Sequence, residues 1–77
     1  GISAGRETVV ERRVDGAALL LFLLGLDGRL VGAAGVGPLG KVAKDIRLAE
    51  MMVAEGMRPD PLALATPAIR LKDLLAA

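Results

Sequence analysis

Residues 17–36 read AALLLFLLGL, then Asp27-Gly28, then RLVGAAGV, and this stretch decides the fold. Two apolar runs joined by Asp-Gly predict a β-hairpin, because a two-residue primed turn needs positive φ and Gly28 adopts it without steric strain. Residues 17–24 do not alternate: the odd set Leu19, Leu21, Leu23 and the even set Leu20, Phe22, Leu24 are both apolar. A strand on the face of a small sheet needs only one apolar side. In a chain this short, one of the two covers is expected to be another molecule or another domain.

Seventy-seven residues make a single domain, near the lower limit for a core without staples. The absence of cysteine and histidine excludes disulfides, Cys/His metal sites, thiolate chemistry and imidazole-based triads. Ten basic and nine acidic residues nearly cancel, which gives no basic field for nucleic acid or anionic membrane. One aromatic residue, Phe22, leaves no stacking platform for bases or flavin. The uncharged run 16–26 is too short to span a bilayer and lacks the flanks of a signal peptide. A cytoplasmic setting is expected, and a chain opening on Gly1 is expected to be a piece of a longer protein.

In chain order, residues 1–5 are a lead-in without periodicity. Residues 6–14 (RETVVERRV) carry β-branched Thr8, Val9 and Val10 among charges, which suggests an edge strand. Asp15-Gly16 repeats the turn signal. Strands at about 6–14, 17–25 and 29–36 form a meander with the Leu-rich strand in the centre. The third is thinned by Gly32, Ala33, Ala34, Gly35 and then Gly37, which predicts a close approach by other backbone. Pro38 suits a helix start. Over residues 39–55 the set Leu39, Val42, Ala43, Ile46, Ala49, Met52, Val53 recurs at helical spacing. Leu48 and Met51 widen that stripe, and Lys41–Asp45 and Arg47–Glu50 have the spacing of supporting pairs. Gly56 stops the helix. Asp60-Pro61 caps a short helix at 61–65, Thr66-Pro67 breaks it, 68–70 is extended, and 71–75 is a last short helix. The fold class is α+β: a three-stranded antiparallel meander covered by one long helix and short C-terminal helices.

No residue combination supports catalysis, cofactor binding or metal binding. The segment GVGPLGKV at 35–42 has the GxxxxGK frame of a phosphate loop but carries Val42 where a magnesium-binding hydroxyl belongs, and follows a meander; it reads as a strand-to-helix turn. Four of the nine carboxylates have turn, cap or pairing roles, no two form a general acid–base motif, and Glu7 and Glu11 on one strand face are too far apart to share a proton. Candidate interface residues are Leu19, Leu21, Leu23 and Gly32 on the hairpin, with Lys41, Lys44 and Arg47 as a basic ridge suited to an acidic partner.

The order strand, DGRLVGA at 27–33, short turn, amphipathic helix and RPDPLALATPAIRLKDLL at 58–75 resembles the C-terminal domain of FAD-dependent NAD(P)H:ferredoxin reductases of the putidaredoxin reductase and dioxygenase reductase type. Asp60-Pro61 and Leu71-Lys72-Asp73-Leu74-Leu75 echo that family's DPxxLAD…LKxLL ending. The resemblance implies a non-catalytic assembly domain behind FAD- and NAD-binding domains, packed on the flavin region and contributing to a ferredoxin or dimer interface. FAD and NAD(P)H would then belong to the parent enzyme and none to this chain. Val36-Gly37 departs from the Val-Asn pair of many members, so no flavin contact is carried over there. A free-standing homodimeric module pairing through the Leu-rich hairpin is the alternative.

Overall fold

The computed structural model describes residues 8–76. Strands β1 (Thr8–Asp15), β2 (Ala18–Leu24) and β3 (Leu30–Val36) precede helices α1 (Leu39–Ala54), α2 (Pro61–Ala65) and α3 (Leu71–Ala76). The sheet is antiparallel in the order β1-β2-β3, as the hairpin pattern predicts. Glu7 and the lead-in at 1–5 lie outside the described residues.

Both connections differ from two-residue primed turns. Between β1 and β2, Asp15 pairs with Ala18 and the register shifts between Arg13 and Asp15. Gly16 does not have positive φ. The bulge supplies the twist that a primed turn would have supplied, and the Asp15 carboxylate accepts from Ala17 N–H at 2.7 Å. Between β2 and β3, Gly28 N–H donates to Gly25 C=O at 3.0 Å, so Leu26 and Asp27 occupy the turn's centre. Gly28 follows at φ 83°, the place of the left-handed residue in a longer hairpin connection. Its requirement for glycine was legible; its position within the turn was not.

Alternation assigns β2 its two faces. Ala18, Leu20, Phe22 and Leu24 are buried, and Leu19, Leu21 and Leu23 are only partly so. The buried set packs with Val10, Leu30, Val42, Ala49, Met52, Leu64 and Leu71 in one core. α1 covers this face through Val42, Ala49 and Met52, with Ile46, Leu48 and Val53 packed partly against it. Leu48 therefore belongs to the core stripe. Leu39, predicted there, is 76% exposed, and Met51 also faces outward.

α1 approaches β3 where glycine permits it. A Cβ on Gly35 would lie 2.7 Å from Val42 Cγ2. Gly37 has φ 116° and a Cβ there would lie 2.4 Å from the Ala17 carbonyl oxygen, so it allows β3 to turn into α1 beneath the first hairpin. Packing thus accounts for Gly35 and Gly37 of the GxxxxGK-like segment, whereas a Cβ on Gly40 would meet nothing within 4 Å. Gly32 has nothing within 4 Å of that position, so the predicted close approach by backbone holds at Gly37, is made by the Val42 side chain at Gly35, and fails at Gly32.

Helix ends follow the sequence signals closely. Gly56, at φ 66°, donates to Val53 C=O, and Met57 N–H reaches Met52 C=O at 3.1 Å; together these close a Schellman end. Asp60 caps α2 by accepting from Leu62 N–H at 3.1 Å, with Pro61 in its first turn. Residues 67–69 turn, with Ile69 N–H bonded to Thr66 C=O at 3.1 Å, where an extended segment was predicted.

Candidate interaction surface

Strand register builds the surface residue by residue. Val9, Leu23 and Gly32 form one cross-strand row. Glu11, Leu21 and Ala34 form the next, and Arg13, Leu19 and Val36 the third. Because side chains alternate across a sheet, all nine share the face opposite α1. Seven of these positions are apolar or glycine, and the charges are confined to β1. Val9 is 60% exposed and Val36 51%. An open apolar depression lies between Val9, Leu21, Leu23, Gly32 and Ala34, where the absent side chain of Gly32 leaves room beside Leu23. No helix of the described residues covers this face.

The structure brings Leu19, Leu21, Leu23 and Gly32 together on that face. Lys41, Lys44 and Arg47 lie on α1, on the other side of the sheet, so the seven predicted residues divide between two surfaces. Lys41 is also not an unengaged member of a ridge. Its Nζ lies 3.1 Å from the Asp15 carboxylate, in place of the predicted pairing with Asp45, because the β1–β2 turn comes down beside the start of α1. The Arg47–Glu50 pair does not form an ion pair among the described residues. Lys44 instead borders a cleft with Asp45, Arg70 and Lys72, with Arg12 at its base.

Arg12 is the residue that sequence reasoning missed. β1 is an edge strand as predicted, but this side chain points inward beside Val10 and is 5% exposed. Its Nη1 donates to the carbonyls of Ala63 (3.3 Å), Leu64 (3.1 Å) and Thr66 (3.0 Å). Nη2 donates to Pro67 (3.3 Å) and Ile69. These are carbonyls at the end of a five-residue helix and in the turn after it; those of Ala63 and Thr66 also accept from Thr66 N–H and Ile69 N–H, and Arg12 adds a donor to all five. A cation there also suits the negative end of the helix dipole. Burial pulls the guanidinium's pKa below its ordinary value, and the nearby Asp45 carboxylate opposes that shift. A Val-x-Arg-x-Val pattern at 10–14, with Arg on the apolar phase, was the available signal.

The two hairpin connections are tied to the helical side by exposed carboxylates. Asp27 accepts from Arg29 N–H at 3.0 Å and from Arg58 at 3.2 Å, and Leu30 N–H donates to Met57 C=O at 2.9 Å. The backbone bond from Arg29, and then Arg58, hold the Asp27 carboxyl below its ordinary pKa; for Asp15 the causes are the Ala17 backbone bond and then Lys41.

Among the described residues no group of three or more His, Cys, Asp or Glu could hold a metal ion, and no helix is long and apolar enough to cross a membrane. Among the described residues, the sheet is apolar on its open side, and the helical side carries mixed charge.

The family model described as Reductase C-terminal matches residues 1–75. Over 72 residues the chain is 40% identical to the ferredoxin–NAD(+) reductase component of the anthranilate 1,2-dioxygenase system of Burkholderia cepacia. That match covers 94% of this chain and 17% of that protein, so the chain spans about a sixth of its relative's length. No solved structure matches. With the three-stranded sheet, the long helix and the short C-terminal helices in the predicted order, the chain belongs to the Reductase C-terminal family.

Proposed function

We propose that this chain is the non-catalytic assembly domain of an FAD-dependent NAD(P)H:ferredoxin oxidoreductase, docking through its open sheet face onto the upstream FAD- and NAD-binding domains. The carrying observation is the uncovered apolar grid around Leu21. Leu19, Leu21, Leu23, Ala34 and Val36 lie on one face with no covering element among the described residues, while the similarity to a ferredoxin–NAD(+) reductase supplies the class of parent enzyme. FAD and NAD(P)H bind the upstream domains in this reading, and ferredoxin docks at the assembled surface. Lys44 and Arg47, on the side away from the docked face, remain available to an acidic acceptor.

The mechanism is positional. Burial of the grid fixes the domain against the flavin region, and a fixed domain holds the acceptor-facing surface in register with the flavin edge. Each leucine covered adds about 1.5–3 kcal/mol if burial becomes complete, and less here because these side chains are already partly shielded.

The test is Leu21→Asp in the full-length reductase. A buried, unpaired carboxylate at the centre of the docked face lowers flavin retention and ferredoxin reduction, whereas in the isolated chain, where residue 21 lies opposite Glu11, the same change costs about 1 kcal/mol and leaves it folded. Equal flavin content and turnover in variant and parent would overturn the proposal.

A further inference from the structure

Two unlike attachments hold the C-terminal segment to the rest of the domain. Leu64 and Leu71 bury their side chains in the core. Apolar burial is non-directional, and helices as short as α2 and α3 have little stability of their own. This contact therefore holds the segment down without fixing how it is turned. Direction comes from Arg12. Among the described residues, every hydrogen bond between residues 60–76 and the rest of the domain is one of those that Arg12 donates.

The last of its acceptors, the Ile69 carbonyl, belongs to the peptide bond that leads into Arg70. The Arg70 carbonyl in turn accepts from Asp73 N–H at 3.1 Å and from Leu74 N–H at 3.4 Å. The first turn of α3, with Lys72 on it, is thus set by the peptide that Arg12 holds. Arg70 and Lys72 share a cleft of about 260 Å³ with Lys44 and Asp45 of α1. Lys44, Arg70 and Lys72 are exposed there, and none forms an ion pair among the described residues. With Arg12 at the base, four cations meet one carboxylate in a chain whose net charge is +1.

Resting on the reductase reading above, we propose that Arg12 is a positioning residue for recognition of the protein acceptor. By clamping the carbonyls of Ala63, Leu64, Thr66, Pro67 and Ile69 it holds Arg70 and Lys72 beside Lys44, and the cleft so formed takes an acidic side chain of the ferredoxin. Arg12 does not meet the acceptor, because it lies inside the fold with its donors committed to carbonyls. Charges at the rim of an interface act on encounter and on its salt dependence. Loss of the clamp is therefore felt in capture of ferredoxin and not in hydride transfer to the flavin.

Steady-state kinetics of the full-length flavoprotein with the ferredoxin of its own system tests this, beside flavin reduction by NAD(P)H, which needs no acceptor. Arg12→Lys keeps the charge but offers one terminal nitrogen in place of two, and Arg12→Met removes the donors altogether. The KM for ferredoxin at low salt rises about threefold in the first and about tenfold in the second, and depends less steeply on salt than in the parent. Flavin content and the rate of flavin reduction stay those of the parent. Replacing both Arg70 and Lys72 by alanine raises KM by a similar factor, and adding Arg12→Lys to that pair changes it no further, as for residues that act through one another. Where Arg12→Met fails to fold, Arg12→Lys carries the test. An unchanged KM in Arg12→Lys overturns the proposal, as does an unchanged KM after the paired alanine substitutions. A full further rise on top of that pair, or a loss of flavin in Arg12→Lys that matches its loss of turnover, also overturns it and leaves Arg12 a purely structural residue. In each case the docking reading stands if Leu21→Asp still releases flavin.

Discussion

The two faces of the sheet share one strand and differ in nearly everything that surrounds it. On the helical side Leu20 and Phe22 are fully inaccessible, enclosed by Val42, Ala49, Met52, Leu64 and Leu71. On the other side Leu19, Leu21 and Leu23 are chemically equivalent residues with no helix against them. Residue type therefore does not tell where a domain ends; the number of covering elements does. One long helix and two short ones cover one face of the three strands, and no helix of the described residues lies on the second apolar face.

The sharpest way to break this comparison is to truncate one residue on each face of the isolated chain. Phe22→Ala removes a ring from the closed core and is expected to destabilise by about 3–5 kcal/mol, enough to unfold much of so small a domain. Leu21→Ala opens no enclosed cavity and is expected to lower stability by less than about 1 kcal/mol. Urea denaturation of the two variants measures the difference. Equal losses would mean that the second face is closed within the chain, and the distinction between the faces would fall.

Much of this arrangement was legible in the sequence. The meander, the amphipathic α1, the Gly56 stop and the Asp60-Pro61 start each follow from a local rule, and each occurs where its residues sit. The apolar excess of β2 also pointed correctly to two greasy faces. What could not be read was which groups meet across the fold. Leu39 has the right helical spacing but stands one turn ahead of the covered sheet, and Lys41 meets Asp15 because two distant turns converge. The same holds for Arg12, whose five carbonyl partners lie more than fifty residues further along the chain. The register that places Gly32 on the open face and Gly35 under Val42 is likewise invisible until the hairpin bulge is known.

Arg12 sharpens the comparison from the closed side, as its one buried charge among the described residues. Replacement by methionine keeps much of the apolar stem but leaves the carbonyls of Ala63, Leu64, Thr66, Pro67 and Ile69 without their shared donor. Hydrogen bonds to charged groups are worth about 1.5–3 kcal/mol, and the carbonyls of Ala63 and Thr66 keep their backbone donors. A loss of about 3 kcal/mol in urea denaturation is expected, with early exposure of the α2–α3 segment to proteolysis. Arg13→Met, one residue along and on the open face, is expected to have almost no effect. If both variants behave alike, the carbonyl cluster is not what fixes the C-terminal segment.

The smallest expected effect concerns how the turns lean toward the helical side. Asp27 is exposed, and its pKa is depressed from an ordinary value of 3.8, first by the Arg29 backbone bond and then by Arg58. A carboxylate whose folded pKa lies below its unfolded one contributes stability that is present above the unfolded value and disappears as pH falls through the folded value. Asp15 follows the same rule through Ala17 and Lys41. The contribution is therefore full above about pH 5 and fades below pH 4, and solvent screening keeps it small. Asp27→Asn lowers the melting temperature slightly at pH 7 and makes the fall between pH 5 and pH 3 shallower than in the parent chain. Parallel curves would show that the Asp27 charge contributes nothing, and that Gly28, the Leu30–Met57 bond and the core hold that turn against α1 without it.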